Sequence, residues 1–204
     1  MKDLKSILKE CSIKEIYCDN YGAPITYVIP IYQRNYAWER DEICALIKDV
    51  HDSMDMGKTV YYIGTLVTYK RDENKYEVID GQQRLTTIYI ILRALGVHDI
   101  YNRLTYSARK ASASTIEALS GRGEKDDLGE MPDLGIKNGF DFAKAGLNEI
   151  VGMVQTDVDK FKEYFLNHVH IIHYRVPKDV DLNHYFEVMN SRGEQLEKHE
   201  IVKA

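Results

Sequence analysis

The stretch that decides the fold is Val78-Ile79-Asp80-Gly81-Gln82-Gln83-Arg84-Leu85-Thr86-Thr87. It begins at the end of an extended run over residues 75–79, and apolar positions at helical spacing follow from Gln82 to Leu95. Asp80-Gly81 therefore predicts a tight turn from a strand directly into a helix. Such a turn leaves backbone N–H groups unpaired at the start of the helix, where they attract an anion.

The side chains around this turn have the chemistry of a phosphate site. Gly81 allows the sharp turn and a close ligand approach, and the Arg84 guanidinium has the planar fork that binds phosphate oxygens. Gln82 and Gln83 are candidates for orienting a water molecule or bonding phosphate oxygens, and Asp80 is a candidate for holding a metal ion or fixing Arg84. The alternative is a plain β-turn followed by solvated glutamines, and spacing alone leaves both interpretations open.

Upstream of this unit, the sequence predicts a sheet packed with helices. β-Branched and aromatic residues mark the extended segments, and polar residues 70–74 connect two of them as a β-hairpin. The apolar residues between Trp38 and Met54 recur at helical spacing. The expected elements are a helix at 4–10, strands at 13–17 and 25–31, a helix at 39–54, and a hairpin of strands 60–69 and 75–79.

Downstream, the sequence predicts more helix and one further strand, and we divide the chain into three segments. They are a core over 1–96, a mainly helical insertion over 97–166 with a flexible loop near 120–139, and a strand with helices over 167–204 that completes the core. Because the chain ends within a helix that has just begun, we expect a missing C-terminal domain. The expected elements are one or two helices at 101–119, a loop at 119–139, helices at 140–151 and 157–166, a strand at 169–176 and a helix at 182–189.

Composition excludes several classes of protein. The chain has 204 residues, and it lacks both an apolar run long enough to span a membrane and a secretory signal. We therefore expect a cytoplasmic protein with no membrane partner. A net charge of -5 argues against a surface that grips DNA over its whole extent. The three cysteines fit neither a disulfide framework nor a structural zinc site.

Two further clusters carry arginine next to other functional side chains. The first, Ile29-Pro30-Ile31-Tyr32-Gln33-Arg34-Asn35-Tyr36-Ala37-Trp38, lies between a predicted strand and a predicted helix. Its arginine is suited to stacking on a base or holding a phosphate, and the alternative is an aromatic plug that caps the core. The second, Asn190-Ser191-Arg192-Gly193, has as its alternative a helix C-cap.

Three histidines, His168, His170 and His173, raise the question of a metal site. On a strand, the first two would share a face and the third would point the other way. No carboxylate stands at a typical ligand spacing beside them. We therefore favour strand histidines without a special role.

Taken together and in this order, these clusters resemble the N-terminal domain of the GmrSD-type, modification-dependent (type IV) restriction endonucleases, which belongs with the ParB/sulfiredoxin-like domains. The resemblance covers nearly the whole chain, although residues 97–165 match only in general helical character. The matching stretches are IPIYQRNYAW over 29–38, YYIGTLV over 61–67, VIDGQQRLTT over 78–87 and YFEVMNSRGEQLEKHEIVKA over 185–204.

The resemblance implies an α+β fold, with a ParB/sulfiredoxin-like core of a small mixed β-sheet that contains a β-hairpin and is surrounded by helices. It implies an NTPase that uses a nucleoside triphosphate with Mg²⁺, and it implies no metal site built from protein ligands alone. Asp80, a candidate Mg²⁺ ligand, would be catalytic together with Gln82, Gln83 and Arg84. The implied nucleotide-binding residues are Gln33, Arg34, Gly81, Thr87, Asn190, Arg192 and Gly193.

In such proteins, nucleotide binding or hydrolysis regulates a nuclease that cuts phage DNA, and the nuclease is usually a C-terminal HNH domain. The implied partners are a nucleoside triphosphate, DNA through the full-length protein, and a second copy in a homodimer. One alternative is a ParB-like module that binds DNA or a partner protein without hydrolysis. A second alternative makes this chain itself the nuclease, and no cluster of metal-binding carboxylates and histidines in the sequence supports it.

Overall fold

The computed structural model describes residues 7–18, 22–100, 102–120 and 131–180. In this part of the chain, strands and helices build one mixed sheet covered by helices. The strands are β1 (Leu8–Ser12), β2 (Thr26–Ile29), β3 (Tyr61–Asp72), β4 (Lys75–Asp80), β5 (Leu104–Tyr106) and β6 (Val169–Val176). The helices are α1 (Ile13–Ile16), α2 (Arg40–Asp55), α3 (Gln82–Ala94), α4 (Lys110–Ser120), α5 (Leu134–Ile150) and α6 (Gln155–Asn167).

The six-stranded sheet has the order β1-β6-β3-β4-β2-β5. The hairpin of β3 and β4 is antiparallel, as is the pair of β1 and β6. The other three neighbouring pairs are parallel, and they join β6 to β3, β4 to β2, and β2 to β5. Strand β4 lies between β3 and β2. Its carboxyl end is therefore next to β3 on one side and to the residues that follow β2 on the other.

The core lies on the face of the sheet where α3 packs. Every residue of α3 from Leu85 to Leu92 is buried, so this helix is surrounded on all sides instead of presenting a single apolar stripe. Helix α5 packs on it closely, since a Cβ built on Gly139 would lie 3.3 Å from the Ile90 Cδ1. A smaller cluster of Val67, Ile79 and Val176 lies on the opposite face, as the alternation of side chains along a strand requires.

The structure confirms the α+β class with its small mixed sheet, hairpin and surrounding helices. It also confirms the helices predicted at 39–54 and 82–95 and the strand predicted at 169–176, within a residue or so at each end. The hairpin has longer strands than predicted, and only Glu73 and Asn74 separate them. The strands continue because backbone pairing extends to Asp72 opposite Lys75.

The predictions for the first elements are wrong. Residues 8–10, expected in a helix, belong to β1, and residues 13–16, expected in a strand, form α1. The reason is a capping box at Ser12. Its hydroxyl accepts from the Glu15 N–H at 3.3 Å, and the Glu15 carboxylate accepts from the Ser12 N–H at 2.9 Å. This local exchange starts the helix and ends the strand.

The middle of the chain differs from its prediction in two places. Residues 104–106, expected to be helical, form the edge strand β5, which pairs with β2. Helix α5 begins at Leu134, within the predicted loop, because the Asp133 carboxylate caps it by accepting from the Ile136 N–H. The predicted helix at 182–189 lies outside the described residues. Within the described ranges, no helix is both long enough and apolar enough to cross a bilayer.

His173 on β6 makes stability depend on pH. Its ring is 1% exposed, and its Nε2 lies 2.8 Å from the Thr68 hydroxyl. Burial, with the nearby charges of Arg175 and Lys9, lowers the pKa of His173 from its ordinary 6.5 to about 3. Between these two pH values, the unfolded chain binds a proton that the folded chain excludes. The contribution of His173 is therefore complete above pH 6.5 and is lost as the pH falls toward 3.

We expect the His173→Gln variant, which can still bond to Thr68, to lose less thermal stability than the unaltered chain between pH 6.5 and pH 4. Thermal unfolding followed by circular dichroism across this range measures the effect. His98→Gln, at an exposed position, is the matched control and should keep the original pH dependence. Parallel pH profiles for the unaltered chain and His173→Gln would contradict the assignment.

Candidate functional site

The junction of β4 and α3 is a turn made by a single glycine. Asp80 ends the strand and Gly81 is the N-cap of the helix, with φ +87° in the left-handed region. The Leu85 N–H donates to the Gly81 carbonyl over 2.9 Å as the helix begins. Because glycine has no side chain to cap the first turn, the N–H groups of 82–84 have no capping side chain at their own N-cap.

Gly81 also lies against the backbone of β3. A Cβ built there would be 2.9 Å from the Thr65 carbonyl oxygen and 3.4 Å from the Leu66 Cα. Backbone atoms of a central strand have little room to move aside. Both the dihedral angle and the contact therefore require glycine at this position.

Arg84 lies over a second glycine, Gly64 of β3. Its Nη1 donates to the Thr65 carbonyl over 2.6 Å, and a Cβ on Gly64 would be 3.0 Å from the guanidinium Cζ. Gly64 has φ +110°, and the pairing of β3 with β6 shifts register between Tyr62 and Thr65. This irregularity, typical of a β-bulge beside a functional site, makes space for the guanidinium.

Residues 33–38, which we call the arginine loop, cross the mouth of the same turn. The Gln33 Nε2 donates to the Ile79 carbonyl at the end of β4, over 2.6 Å. The Gln83 side chain bonds the loop twice, because its Nε2 donates to the Asn35 carbonyl and its Oε1 accepts from the Ala37 N–H. The loop is thus attached to both the strand and the helix of the junction.

Arg109, just before α4, fixes the arginine loop from the other side. Its Nη1 donates to the Arg34 carbonyl over 3.2 Å, and its Nη2 donates to the carbonyls of Ile31 and Gln33. One guanidinium therefore satisfies several carbonyls of a segment that belongs to no helix or strand. Hydrogen bonds to a charged donor are each worth about 1.5–3 kcal/mol.

We expect Arg109→Met, which keeps an unbranched stem but removes the donors, to speed tryptic cleavage after Arg34 by about tenfold or more. The loss of these hydrogen bonds makes local opening of the arginine loop easier. Limited trypsin digestion followed by mass spectrometry measures the rate. The neighbouring exposed cation gives a control, Lys110→Met, which should cleave after Arg34 at the original rate. Equal rates in both variants would contradict the role of Arg109.

Together these segments enclose a cleft of about 230 Å³. Its charged lining is two guanidinium groups and one carboxylate, with a helix N-terminus on one side. Arg34 and Asp80 are exposed, and neither side chain has a hydrogen-bond or ion-pair partner among the described residues. The cleft is lined by Gln33, Arg34, Trp38, Asp80, Gly81, Gln82, Gln83 and Arg84.

The family model of the GmrSD restriction endonuclease N-terminal domain matches residues 13–204. The chain belongs to this family. The match spans both segments that form the cleft and runs through the whole described sheet apart from β1. No curated protein matches the chain.

In this GmrSD N-terminal domain, most of the residues predicted for the site come together. Gln33, Arg34 and the run from Asp80 to Arg84 line one cleft, although they come from distant parts of the sequence. Thr87 lies outside it, since it is fully buried and its hydroxyl bonds to the Tyr36 hydroxyl over 2.9 Å. Three residues of the last motif, predicted to bind the nucleotide, lie outside the described residues. These are Asn190, Arg192 and Gly193.

The two glutamines of the GmrSD N-terminal domain have internal hydrogen-bond partners. Gln82 is 3% exposed, and its Nε2 lies 3.4 Å from the Tyr106 hydroxyl. Its Oε1 accepts from the Gln83 Nε2 over 2.9 Å. The same Nε2 and the Oε1 of Gln83 also bind the arginine loop. Their side chains therefore hold the walls of the cleft in place, and the catalytic role predicted for them stays a prediction.

Sequence reasoning did not assign three residues that matter for the cleft: Trp38, Gly64 and Arg109. A glycine inside a β-branched run is a recognisable signal of a bulge or a close approach of another group, so the sequence alone could have indicated Gly64. Trp38 is the single tryptophan of the chain and is the last residue of the first arginine-bearing cluster. Nothing in the sequence around Arg109 indicates that it reaches residues 31–34.

The histidines of β6 have separate surroundings. His168 precedes the strand as the C-cap of α6, so the expectation that it shares a strand face with His170 is wrong. His170 bonds to the Glu10 carboxylate over 2.7 Å, whereas His173 is buried beside Thr68. No group of three or more His, Cys, Asp or Glu in the described ranges is placed to hold a metal ion.

Proposed function

We propose that the cleft binds the phosphates of a nucleoside triphosphate and that the chain hydrolyses it. The observation that carries the proposal is the meeting of Arg34 and Arg84 at the uncapped start of α3. Two guanidinium groups and a helix N-terminus at one place favour a ligand with several negative charges. Guanidinium forks also match the oxygen geometry of phosphate.

The size of the cleft supports a phosphate chain as the part of the ligand that it encloses. At about 230 Å³ it is smaller than the pockets of about 300–1,000 Å³ that surround drug-sized ligands. Its polar lining suits phosphates better than an apolar group. A nucleoside would then extend toward the open side of the cleft.

The chemistry of the donor set fits one Mg²⁺ ion. Asp80 is the carboxylate of the cleft and has no partner among the described residues, and phosphoryl-transfer sites usually hold Mg²⁺ by one or two carboxylates with the phosphates. Asp80 would hold the ion. When bound, Mg²⁺ supplies charge that neutralises the phosphate oxygens.

The chain's own contribution to hydrolysis is positioning and charge. Phosphoryl transfer needs both more than it needs covalent chemistry. Arg34 and Arg84 would neutralise negative charge that develops on the phosphate oxygens, and the N–H groups of 82–84 would add donors at fixed positions. Gln83 would act by holding the arginine loop so that Arg34 faces the ligand.

The family gives this activity a context. A restriction endonuclease cuts DNA, and we propose that nucleotide turnover in this N-terminal domain controls a nuclease located elsewhere in the same protein. DNA would then be a partner of the complete protein, and the nucleoside triphosphate a partner of this chain. The kinship of this chain with the ParB/sulfiredoxin-like domains stays a prediction, and so does the formation of a homodimer.

Phosphate release from ATP, GTP, CTP and UTP with Mg²⁺ tests the proposal. We expect turnover by the unaltered chain and a loss of about 100-fold in Asp80→Asn, because the substitution removes the negative charge and keeps the shape. Asp141→Asn, at an exposed position on α5, is the control and should retain full turnover. If the unaltered chain released no more phosphate than Asp80→Asn, the proposal of hydrolysis would be overturned. Salt-dependent DNA binding in the same preparation would then favour the non-hydrolysing module.

A further inference from the structure

We propose that Trp38 stacks on the base of the bound nucleotide and makes the cleft select a nucleoside triphosphate over an inorganic polyphosphate. This inference rests on the proposed function and adds the residue that recognises the part of the ligand outside the phosphates. Trp38 is the aromatic side chain that lines the cleft, next to groups that are otherwise charged or polar.

The position of Trp38 is fixed from both sides along the chain. Directly before it, the Ala37 N–H donates to the Gln83 Oε1 in the first turn of α3. Directly after it, the Glu39 N–H donates to the Glu42 carboxylate over 3.0 Å at the start of α2. The indole therefore leaves a backbone that is anchored to the wall of the cleft and to the start of a helix.

The indole has one side against protein and another toward the cleft. Trp38 is partly buried and packs on the main hydrophobic core, yet it also lines the cleft. An aromatic ring held in this way offers a rigid face for stacking at little entropic cost.

Phosphate binding by Arg34 and base stacking by Trp38 are assigned to different positions along the arginine loop. The loop is attached to β4 through Gln33 and to α3 through Asn35 and Ala37, so Arg34 and Trp38 occupy different stretches of the cleft wall. Arg34 lies among the proposed phosphate-binding groups, and Trp38 follows the contact of Ala37 with the first turn of α3. Since stacking contacts the face of a base and does not read its edge, adenine and guanine nucleotides should bind with similar affinity.

Calorimetric titration with two ligands tests the base contact: the β,γ-imido analogue of ATP and inorganic tripolyphosphate, each with Mg²⁺. We expect Trp38→Leu, which keeps an apolar side chain on the core, to bind the ATP analogue about ten- to a hundredfold more weakly. Its affinity for tripolyphosphate should stay within about twofold, because the phosphate-binding groups are unchanged. Trp38→Phe, which retains an aromatic face, should recover most of the affinity for the analogue.

Fluorescence gives a second measurement on the unaltered chain, because its tryptophan emission comes from this one residue. The ATP analogue should quench the emission more strongly than tripolyphosphate does. Equal weakening of both ligands in Trp38→Leu would assign Trp38 a structural role and overturn the base contact. An unchanged affinity for the analogue would overturn it as well. Binding of neither ligand by the unaltered chain would overturn the proposed function together with this inference.

Discussion

Replacement of Arg84 by alanine is expected to lower phosphate release from a nucleoside triphosphate by about 1,000-fold. The guanidinium bonds to the Thr65 carbonyl and lies over Gly64, so it faces the ligand without having to be ordered by it. Removing a preorganised charge affects the transition state more than the ground state. We therefore expect most of the effect in kcat.

Two variants separate charge from geometry at this position. Arg84→Lys keeps the positive charge and loses the planar fork, so we expect it to recover only part of the activity. Lys137→Ala removes a partly buried cation that pairs with Asp141 on α5 and should leave turnover unchanged. Thermal unfolding must show that Arg84→Ala is folded. Turnover by a folded Arg84→Ala at the original rate would contradict a role in phosphate binding.

Replacement of Gly81 by alanine is expected to destabilise the fold by roughly 3 kcal/mol, which lowers Tm by roughly 10 °C in a chain of this length. The left-handed φ of +87° contributes part of this loss, and the approach of a Cβ to the Thr65 carbonyl contributes the rest. Relief of the contact would move β3 away from α3. Phosphate release should then fall as well, because Arg84 is held by the same strand.

The chain provides a matched control for the dihedral angle alone. Gly96 has φ +71°, and a Cβ built there has nothing within 4 Å. Gly96→Ala should therefore cost only about 1–2 kcal/mol. Calorimetric unfolding of both variants gives the difference, which measures the close approach at Gly81. If the two variants were equally stable, the contact between Gly81 and β3 would not contribute.

Hydrophobic spacing and β-branched runs in the sequence predicted the helices and the strand whose conformation depends mainly on neighbouring residues. Helix α2 and helix α3 follow from apolar residues at helical spacing, and β6 follows from its β-branched run up to Pro177. The same reasoning gave the strand–turn–helix junction at Gly81. Side chains that flank such a junction in sequence also flank it in space, which is why Asp80 and Arg84 were identifiable.

Tertiary contacts decided the features that were missed. Strand β5 has only three residues, and its conformation depends on pairing with β2 instead of on its own composition. Arg109 acts on carbonyls at 31–34, a contact that no local pattern encodes. At Ser12, by contrast, the local signal was present. The spacing of Ser12 and Glu15 is that of a capping box, which outweighs the β-branched character that predicted a strand at 13–17.

The attachment of the arginine loop at Gln33, Gln83 and Arg109 has a consequence for the kinetics of ligand capture. A segment already held in its final shape loses little conformational entropy when a ligand arrives, and no slow closing step has to follow the encounter. The time course of nucleotide binding should then follow a single exponential, and its observed rate constant should rise linearly with nucleotide concentration. Charge attraction by the two guanidinium groups would make that rate fall as salt is added. Loosening the loop at Arg109 should introduce a second, concentration-independent phase.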